Sequence, residues 1–168
     1  MKRLFTLAGA LAGLILAPPA AQADPQPILA AFQGCWRGEG AGGMTDVRCV
    51  APMEGGQFTR DAHRVGGSPY GGETIYHRDP RTHRLSYTYY ASDGGVMRGE
   101  ADEAGELITF PSADYISATG ETITLRSSWR RTGPDTFEAI SEALQNGAWR
   151  EHLRLRYSRI NERPVLTR

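Results

Sequence analysis

Apolar and polar residues alternate along most of this chain, in short runs that are separated by turns. In the run 84–91, for example, Leu85, Tyr87 and Tyr89 share one face, and Ser86 and Thr88 lie on the other. A period of two residues is typical of a half-buried β-strand. The same pattern predicts strands at 35–40, 46–52, 57–65, 72–78, 84–91, 96–101, 106–110, 113–118, 121–131, 135–143 and 148–158.

Glycine-containing turns lie between these runs and indicate how consecutive strands are joined. Asp93-Gly94 and Asn146-Gly147 are strong signals for tight hairpins, because these residue types tolerate a positive φ. Many strands joined in this way would expose two edges unless the sheet closed on itself. We therefore predict an all-β fold, a single antiparallel up-and-down β-barrel of about 8–10 strands. A short helical turn within 28–32 is expected to plug one end with its apolar residues.

The start of the chain has the organisation of a secretory signal peptide. A basic beginning precedes an apolar run from Leu4 to Ala17, which is shorter than the roughly 20 residues that span a bilayer. A small-x-small pattern predicts cleavage after Ala23. The expected organisation is a signal peptide at 1–23 and one barrel domain at 24–168, in a periplasmic or secreted protein without a membrane span.

Charge and cysteine content narrow the range of partners. Without the leader the chain carries 17 basic and 19 acidic side chains, and the basic ones form no run, so nucleic acid is not an expected partner. Cys35 and Cys49 lie on consecutive predicted strands, and an export compartment favours their oxidation. We predict a disulfide between them, the alternative being two buried free thiols.

Several short motifs resemble those of known barrels. The segment 32–40, Phe-Gln-Gly-Cys-Trp-Arg-Gly-Glu-Gly, is similar to the opening strand of lipocalin-like (calycin) barrels, including nitrobindin-type haem proteins. The segments 76–80, 92–100 and 147–159 resemble an exported bacterial lipocalin-like family of unknown function. The resemblance implies a closed antiparallel barrel with an internal cavity.

The resemblance also implies roles for particular residues. In such barrels a first-strand tryptophan closes one end under an arginine of the last strand, which Trp36 and either Arg156 or Arg159 would supply. In nitrobindin-type barrels a histidine of the last strand binds haem iron, and His152 lies in the corresponding place. His152 alternates with the apolar residues of its strand, so it faces solvent if those residues line the interior.

Aromatic residues are the most informative candidates for a ligand site. Tyrosine and tryptophan bring a polar group to an apolar wall, which is the mixture that small-molecule cavities use. The same residues would also suit a filled core. The candidates for a cavity lining are Trp36, Tyr87, Tyr89, Trp129 and Tyr157.

Three functions are compatible with these features. The preferred one is an exported barrel that binds a small apolar or amphipathic molecule, with no catalytic residue and no cofactor. The second is a haem-binding barrel that acts on nitrogen oxides or peroxides, with His152 as the axial ligand. The third is a filled barrel that serves as a structural or interaction module of the envelope. Asp61 and His63 would share one strand face, but no nucleophile motif accompanies them, so an enzyme is less expected.

Overall fold

Ten antiparallel strands close into one barrel in the structure, a computed structural model that describes residues 28–161. Each strand pairs with the next along the chain, and the last pairs with the first, which confirms the predicted up-and-down barrel. The strands are β1 Gly34–Gly40, β2 Thr45–Pro52, β3 Phe58–Val65, β4 Gly71–Arg78, β5 Leu85–Ala91, β6 Val96–Ala104, β7 Leu107–Ile116, β8 Thr122–Gly133, β9 Thr136–Gln145 and β10 Ala148–Ile160.

The leader predicted at 1–23 and its cleavage site lie outside the described residues. Within 28–161, helical structure is confined to two 3-10 turns, Ala30–Phe32 and Ala41–Gly43. Neither turn approaches the length and hydropathy that a membrane-crossing helix requires.

The main departure from the predicted strands lies in β7. The runs 106–110 and 113–118 form one continuous strand, and its register against β8 shifts between Phe110 and Ala113. Proline cannot donate a hydrogen bond to a sheet, so Pro111 sits where the ladder is interrupted by a β-bulge. The interruption in the sequence pattern therefore marks an irregularity within a strand and not a turn.

The seam between β1 and β10 explains the glycines of the first strand. Gly38 is paired with Tyr157, and Gly40 is paired with Leu155. A Cβ atom at Gly38 would lie 2.5 Å from Cε1 of Tyr157, and one at Gly40 would lie 2.8 Å from Cδ2 of Leu155. The alternate glycines after Trp36 therefore leave room for the inward side chains of the last strand.

The segment before β1 closes one end of the barrel. Leu29 and Phe32 are buried at the 3-10 turn, and Trp36 packs against them from the first strand. The indole N–H of Trp36 donates to the carbonyl oxygen of Phe32 at 2.8 Å. The predicted helical turn is thus present, and with Trp36 it forms a plug, the name used below for residues 28–36.

An arginine of the last strand covers the plug. Cζ of Arg159 lies 4.1 Å from the centroid of the Trp36 ring, and Nη1 of Arg159 donates to the carbonyl oxygen of Gln33 at 2.9 Å. Arg156, the other candidate for this role, is 84% exposed on the outer face. A cation–π contact of this kind contributes about 0.5–2 kcal/mol.

A disulfide joins Cys35 to Cys49, as the sequence predicts. The two residues are directly paired across β1 and β2. The bond therefore ties together two neighbouring strands near the plug. It is compatible with an exported protein, since disulfides persist in oxidising compartments.

Reduction of this disulfide is expected to lower the free energy of unfolding by about 3 kcal/mol, because the bond closes a loop of about 15 residues in the unfolded chain. Thermal unfolding of the oxidised protein, the reduced protein and the Cys35→Ala/Cys49→Ala variant measures the effect. The variant should match the reduced protein. Equal melting temperatures before and after confirmed reduction would show that the bond does not stabilise the fold.

Candidate functional site

The barrel interior contains a cavity of about 250 Å³ on the far side of the plug. Tyr87, Tyr89, Trp129 and Tyr157 all line it, together with aliphatic and polar side chains from several strands. Exposed residues such as His152 form its rim, where the cavity opens to solvent.

Trp36, the fifth candidate for the lining, lies elsewhere. Its side chain is fully buried within the plug, where its ring meets the edge of Phe137 with centroids 4.9 Å apart. Trp36 therefore closes the base of the barrel and has no surface on the cavity.

Four charged or titratable side chains enter the barrel interior from two neighbouring strands. Asp46 and Arg48 come from β2, and Asp61 and His63 come from β3. Residues two apart on a strand share a face, so each pair points inward together. Asp46 and Asp61 are only 2% and 1% exposed. Because a buried charge is costly unless it is paired, this cluster distinguishes the site from an ordinary barrel core.

Arg48 is the central cation of this cluster. Its Cζ lies 4.3 Å from the centroid of the Trp129 ring and 5.2 Å from that of Tyr157. Nη2 of Arg48 lies 3.5 Å from Oδ2 of Asp61, a separation typical of a loose ion pair. Within residues 28–161, Nε of Arg48 and Oδ1 of Asp61 have no hydrogen-bond partner. Arg48 also lines the cavity, so this incompletely satisfied guanidinium forms part of the cavity wall.

A chain of hydrogen bonds runs from the cluster to the rim. The hydroxyl of Tyr157 donates to Oδ2 of Asp46 at 2.8 Å, and Oδ1 of Asp46 lies 2.9 Å from Nδ1 of His63. Nε2 of His63 lies 3.0 Å from the hydroxyl of Tyr89, which is 3.1 Å from the hydroxyl of Tyr70. Since an ionised carboxylate only accepts, Nδ1 of His63 carries a proton that is donated to Asp46.

Tyr89 and Tyr157, the two tyrosines hydrogen-bonded to the His63–Asp46 pair, are not activated nucleophiles. Burial raises the pKa of Tyr89, and the neighbouring hydroxyl of Tyr70 raises it further. Burial also raises the pKa of Tyr157, which outweighs the nearby charge of Arg48. Both phenols keep their protons near neutral pH. This series of hydrogen bonds therefore holds neutral hydroxyl groups in place beside the cavity and supplies no phenolate.

The two buried carboxyls respond to their surroundings in opposite directions. Burial raises the pKa of Asp61, and the charge of Arg48 compensates for this only in part. Burial also acts to raise the pKa of Asp46, but the hydrogen bond from His63, the charge of Arg48 and the hydrogen bond from Tyr157 outweigh it. The pKa of Asp46 is therefore below its usual value, and that of Asp61 is above it. Burial disfavours the charge of Arg48 as well, but the carboxylates of Asp61 and Asp46 help to raise its pKa, so Arg48 stays charged.

Asp46→Asn is expected to lower the free energy of unfolding at pH 7 by about 1–3 kcal/mol, because a charged acceptor of two hydrogen bonds is lost. The pKa of Asp46 is lowered in the folded state. Its contribution is therefore present above the unfolded pKa and is lost as the pH falls through the folded pKa. Urea unfolding at pH 7 and near pH 3 should show the difference between wild type and variant shrinking with acidification.

The control for this experiment is Asp102→Asn, which changes an exposed carboxylate paired with Arg84. It is expected to alter the free energy of unfolding by less than about 1 kcal/mol at pH 7. A difference between wild type and Asp46→Asn that stays constant with pH would show that Asp46 acts through packing and not through its charge.

His152 lies at the rim of the cavity, where β10 is irregular. The register of β10 against β9 shifts between Glu151 and Leu153, so His152 is the extra residue of a β-bulge. Its side chain is exposed, but the bulge also brings it to the edge of the cavity. The simple alternation of the sequence places His152 on the outer face and does not anticipate this position.

Asp46, Arg48 and Tyr70 were not predicted as members of the site. The sequence does predict that Asp61 and His63 share one strand face, and the structure shows that this is the inner face. The signal that was available is the repetition of this pattern: Asp46 and Arg48 show the same two-residue spacing on the preceding strand. Opposite charges on alternate positions of two consecutive strands favour cross-strand pairing, although the spacing does not show which face of the sheet they occupy.

No family model and no curated protein matches this chain. The fold class of the chain is therefore assigned from its architecture alone. It is a closed ten-stranded antiparallel barrel, plugged at one end, and is consistent with the lipocalin-like (calycin) class.

Proposed function

We propose that this protein is an exported lipocalin-like barrel that binds one small apolar or amphipathic molecule without transforming it. The observation that carries this proposal is the cavity of about 250 Å³, closed at its base by the plug and lined by aromatic side chains with a few convergent polar groups. That mixture is characteristic of small-molecule sites. A filled barrel acting only as a structural module would have no reason to keep this space or the cluster of buried charges beside it.

The size of the cavity limits the ligand. Most pockets for drug-sized molecules measure roughly 300–1,000 Å³, and an apolar cavity of about 150 Å³ holds benzene. A volume of about 250 Å³ therefore suits a single ring or a short branched chain with one or two polar atoms. The open rim leaves room for a longer molecule to extend into solvent.

Filling the cavity should abolish binding without disturbing the outer surface. Ala139 lies on the inner face of β9, opposite Trp129, and lines the cavity. Native mass spectrometry of detergent-free protein is expected to show a co-purifying small molecule on the wild type and none on Ala139→Phe. Thr109→Phe adds the same side chain at an exposed position of β7 and should retain the adduct.

Two results would contradict the proposal. One is an adduct that remains on Ala139→Phe, since its site would then lie outside the cavity. The other is a wild type that carries no adduct and shows no change in its amide NMR spectrum with a series of small apolar molecules. Circular dichroism of Ala139→Phe establishes that any loss of binding is not caused by unfolding.

A haem-binding barrel has less support from the geometry. His152 is the one ligand candidate from the sequence, and it stands at the exposed rim instead of inside the cavity. The cavity of about 250 Å³ is also smaller than the usual range for larger ligands. The residues present therefore do not fit an enclosed haem. The absorption spectrum of haem-supplemented protein tests this reading, and a Soret band that His152→Ala removes would overturn it.

A further inference from the structure

The polar groups around Arg48 define the chemistry of the ligand more closely. We propose that the ligand carries an uncharged hydrogen-bond acceptor, such as a carbonyl oxygen, which docks against the guanidinium of Arg48. This inference rests on the proposed function, because it assumes that the cavity takes a small molecule.

The need for an acceptor follows from the contacts of Arg48. A guanidinium has five N–H donors and no acceptor. Here it lies over the ring of Trp129, is only 11% exposed and meets carboxylate oxygens no closer than 3.5 Å. Nε has no partner within residues 28–161. The guanidinium is thus poorly satisfied by the protein, and Arg48 lines the cavity, so an acceptor oxygen brought to the guanidinium from the cavity offsets part of that cost.

The surroundings of Arg48 indicate that the acceptor group of the ligand is uncharged. Asp61 lies 3.5 Å from Nη2 of Arg48, and Asp46 lies 4.0 Å from its Nε. One cation thus faces two carboxyls, with His63 hydrogen-bonded to one of them. The cluster has no excess positive charge to compensate a carboxylate brought out of water. An uncharged oxygen gains the donors of Arg48 without meeting that repulsion.

The apolar part of the ligand has a surface of its own. Met97, Phe110 and Leu153 line the same cavity and carry no charge. Arg48 stays in place because it is held between the ring of Trp129 and the carboxylate of Asp61. The cavity is therefore built to orient a molecule with one polar end toward β2 and an apolar end toward the other strands.

Three probes of nearly equal shape test the proposal: acetophenone, α-methylstyrene and benzoate. They share a phenyl ring and a branched planar group, and differ in having a neutral oxygen, no oxygen or a carboxylate. Titrations followed by amide NMR at pH 7.5 are expected to show acetophenone binding roughly tenfold or more tightly than α-methylstyrene, as a hydrogen bond to a charged donor provides. Benzoate should also bind more weakly than acetophenone.

The variant Arg48→Met/Asp61→Asn removes the guanidinium and one carboxylate together, so the net charge of the pair is unchanged. It should bind acetophenone and α-methylstyrene equally. The matched control is Arg60→Met/Glu73→Gln, which removes a hydrogen-bonded arginine–glutamate pair on β3 and β4. Both side chains are about half exposed and neither lines the cavity, so this control should keep the preference for acetophenone.

Each alternative outcome separates the inference from the proposed function. If α-methylstyrene binds as tightly as acetophenone, or if benzoate binds most tightly, the cavity is a ligand site but the uncharged acceptor is wrong. If no probe binds, the inference is overturned, and the adduct test on the wild type decides separately whether the cavity is a ligand site. If the preference for acetophenone survives in Arg48→Met/Asp61→Asn, the acceptor lies on another group.

Discussion

Replacement of Trp36 by alanine is expected to lower the free energy of unfolding by about 3–5 kcal/mol, the usual range for deleting a large aromatic side chain from a core. Three interactions are lost together. The ring is fully buried against Phe137, its N–H donates to Phe32, and Arg159 lies over its face. Since the plug is the base of the barrel, little of the surrounding structure can collapse into the space.

Urea unfolding followed by far-UV circular dichroism measures this effect without depending on tryptophan fluorescence. The control is Trp149→Ala, because Trp149 is partly exposed, and Cζ of Arg126 lies 4.5 Å from its ring centroid. Trp149→Ala should lower the free energy of unfolding by about 1 kcal/mol or less. A Trp36→Ala protein as stable as the control would mean that the plug does not stabilise the barrel. If Trp36→Ala does not fold, Trp36→Phe should still show an intermediate loss.

The barrel could be predicted because the sequence signals for each strand and each turn lie within short stretches of the chain. The two-residue alternation in runs such as 84–91 and the Asp-Gly and Asn-Gly turns specify strands and hairpins one at a time. Closure follows because an open sheet of this length would leave two edges. The contact of Trp36 with Arg159 could also be predicted, as one of two candidate arginines, from the resemblance of the first strand to known barrels.

The candidate site was harder to predict from the sequence because it depends on contacts between side chains that are distant in the chain. Asp46 and Tyr157 are separated by 111 positions in the chain, yet their side chains are hydrogen-bonded. The alternation of apolar and polar residues predicts that a charged residue on a strand lies on the outer face. It cannot show that Asp46, Arg48 and Asp61 neutralise one another inside the barrel. Likewise, the β-bulge at His152 brings that exposed residue to the edge of the cavity, and a regular alternation does not predict a bulge.

The plug and the charge cluster have complementary roles. The plug buries apolar surface, and a disulfide lies beside it. Charged groups held inside a barrel lower its stability unless they are paired. On the proposed function, the plug stabilises one end of the barrel and the charge cluster sets the ligand specificity of the cavity beyond it.

Arg48→Met is the substitution in this cluster with the largest expected effect, a loss of about 3–5 kcal/mol in the free energy of unfolding. Methionine replaces the unbranched stem of arginine as far as Nε, but it lacks the guanidinium that lies over the ring of Trp129. The loss arises because Asp61 is left buried at 1% exposure without the cation beside it, and Asp46 loses part of its compensation. Removing one partner of a buried pair costs more than removing both.

The double variant Arg48→Met/Asp61→Asn tests that explanation, because it removes the buried charge that the single variant leaves behind. We expect it to be more stable than Arg48→Met alone, although it carries one more substitution. Urea unfolding of wild type, both single variants and the double variant gives the coupling energy between the two residues. A double variant less stable than Arg48→Met, by the full cost of Asp61→Asn, would show that the two side chains act independently. The comparison with Arg130→Met should then decide whether position matters, since Arg130 is exposed and its loss is expected to cost less than about 1 kcal/mol.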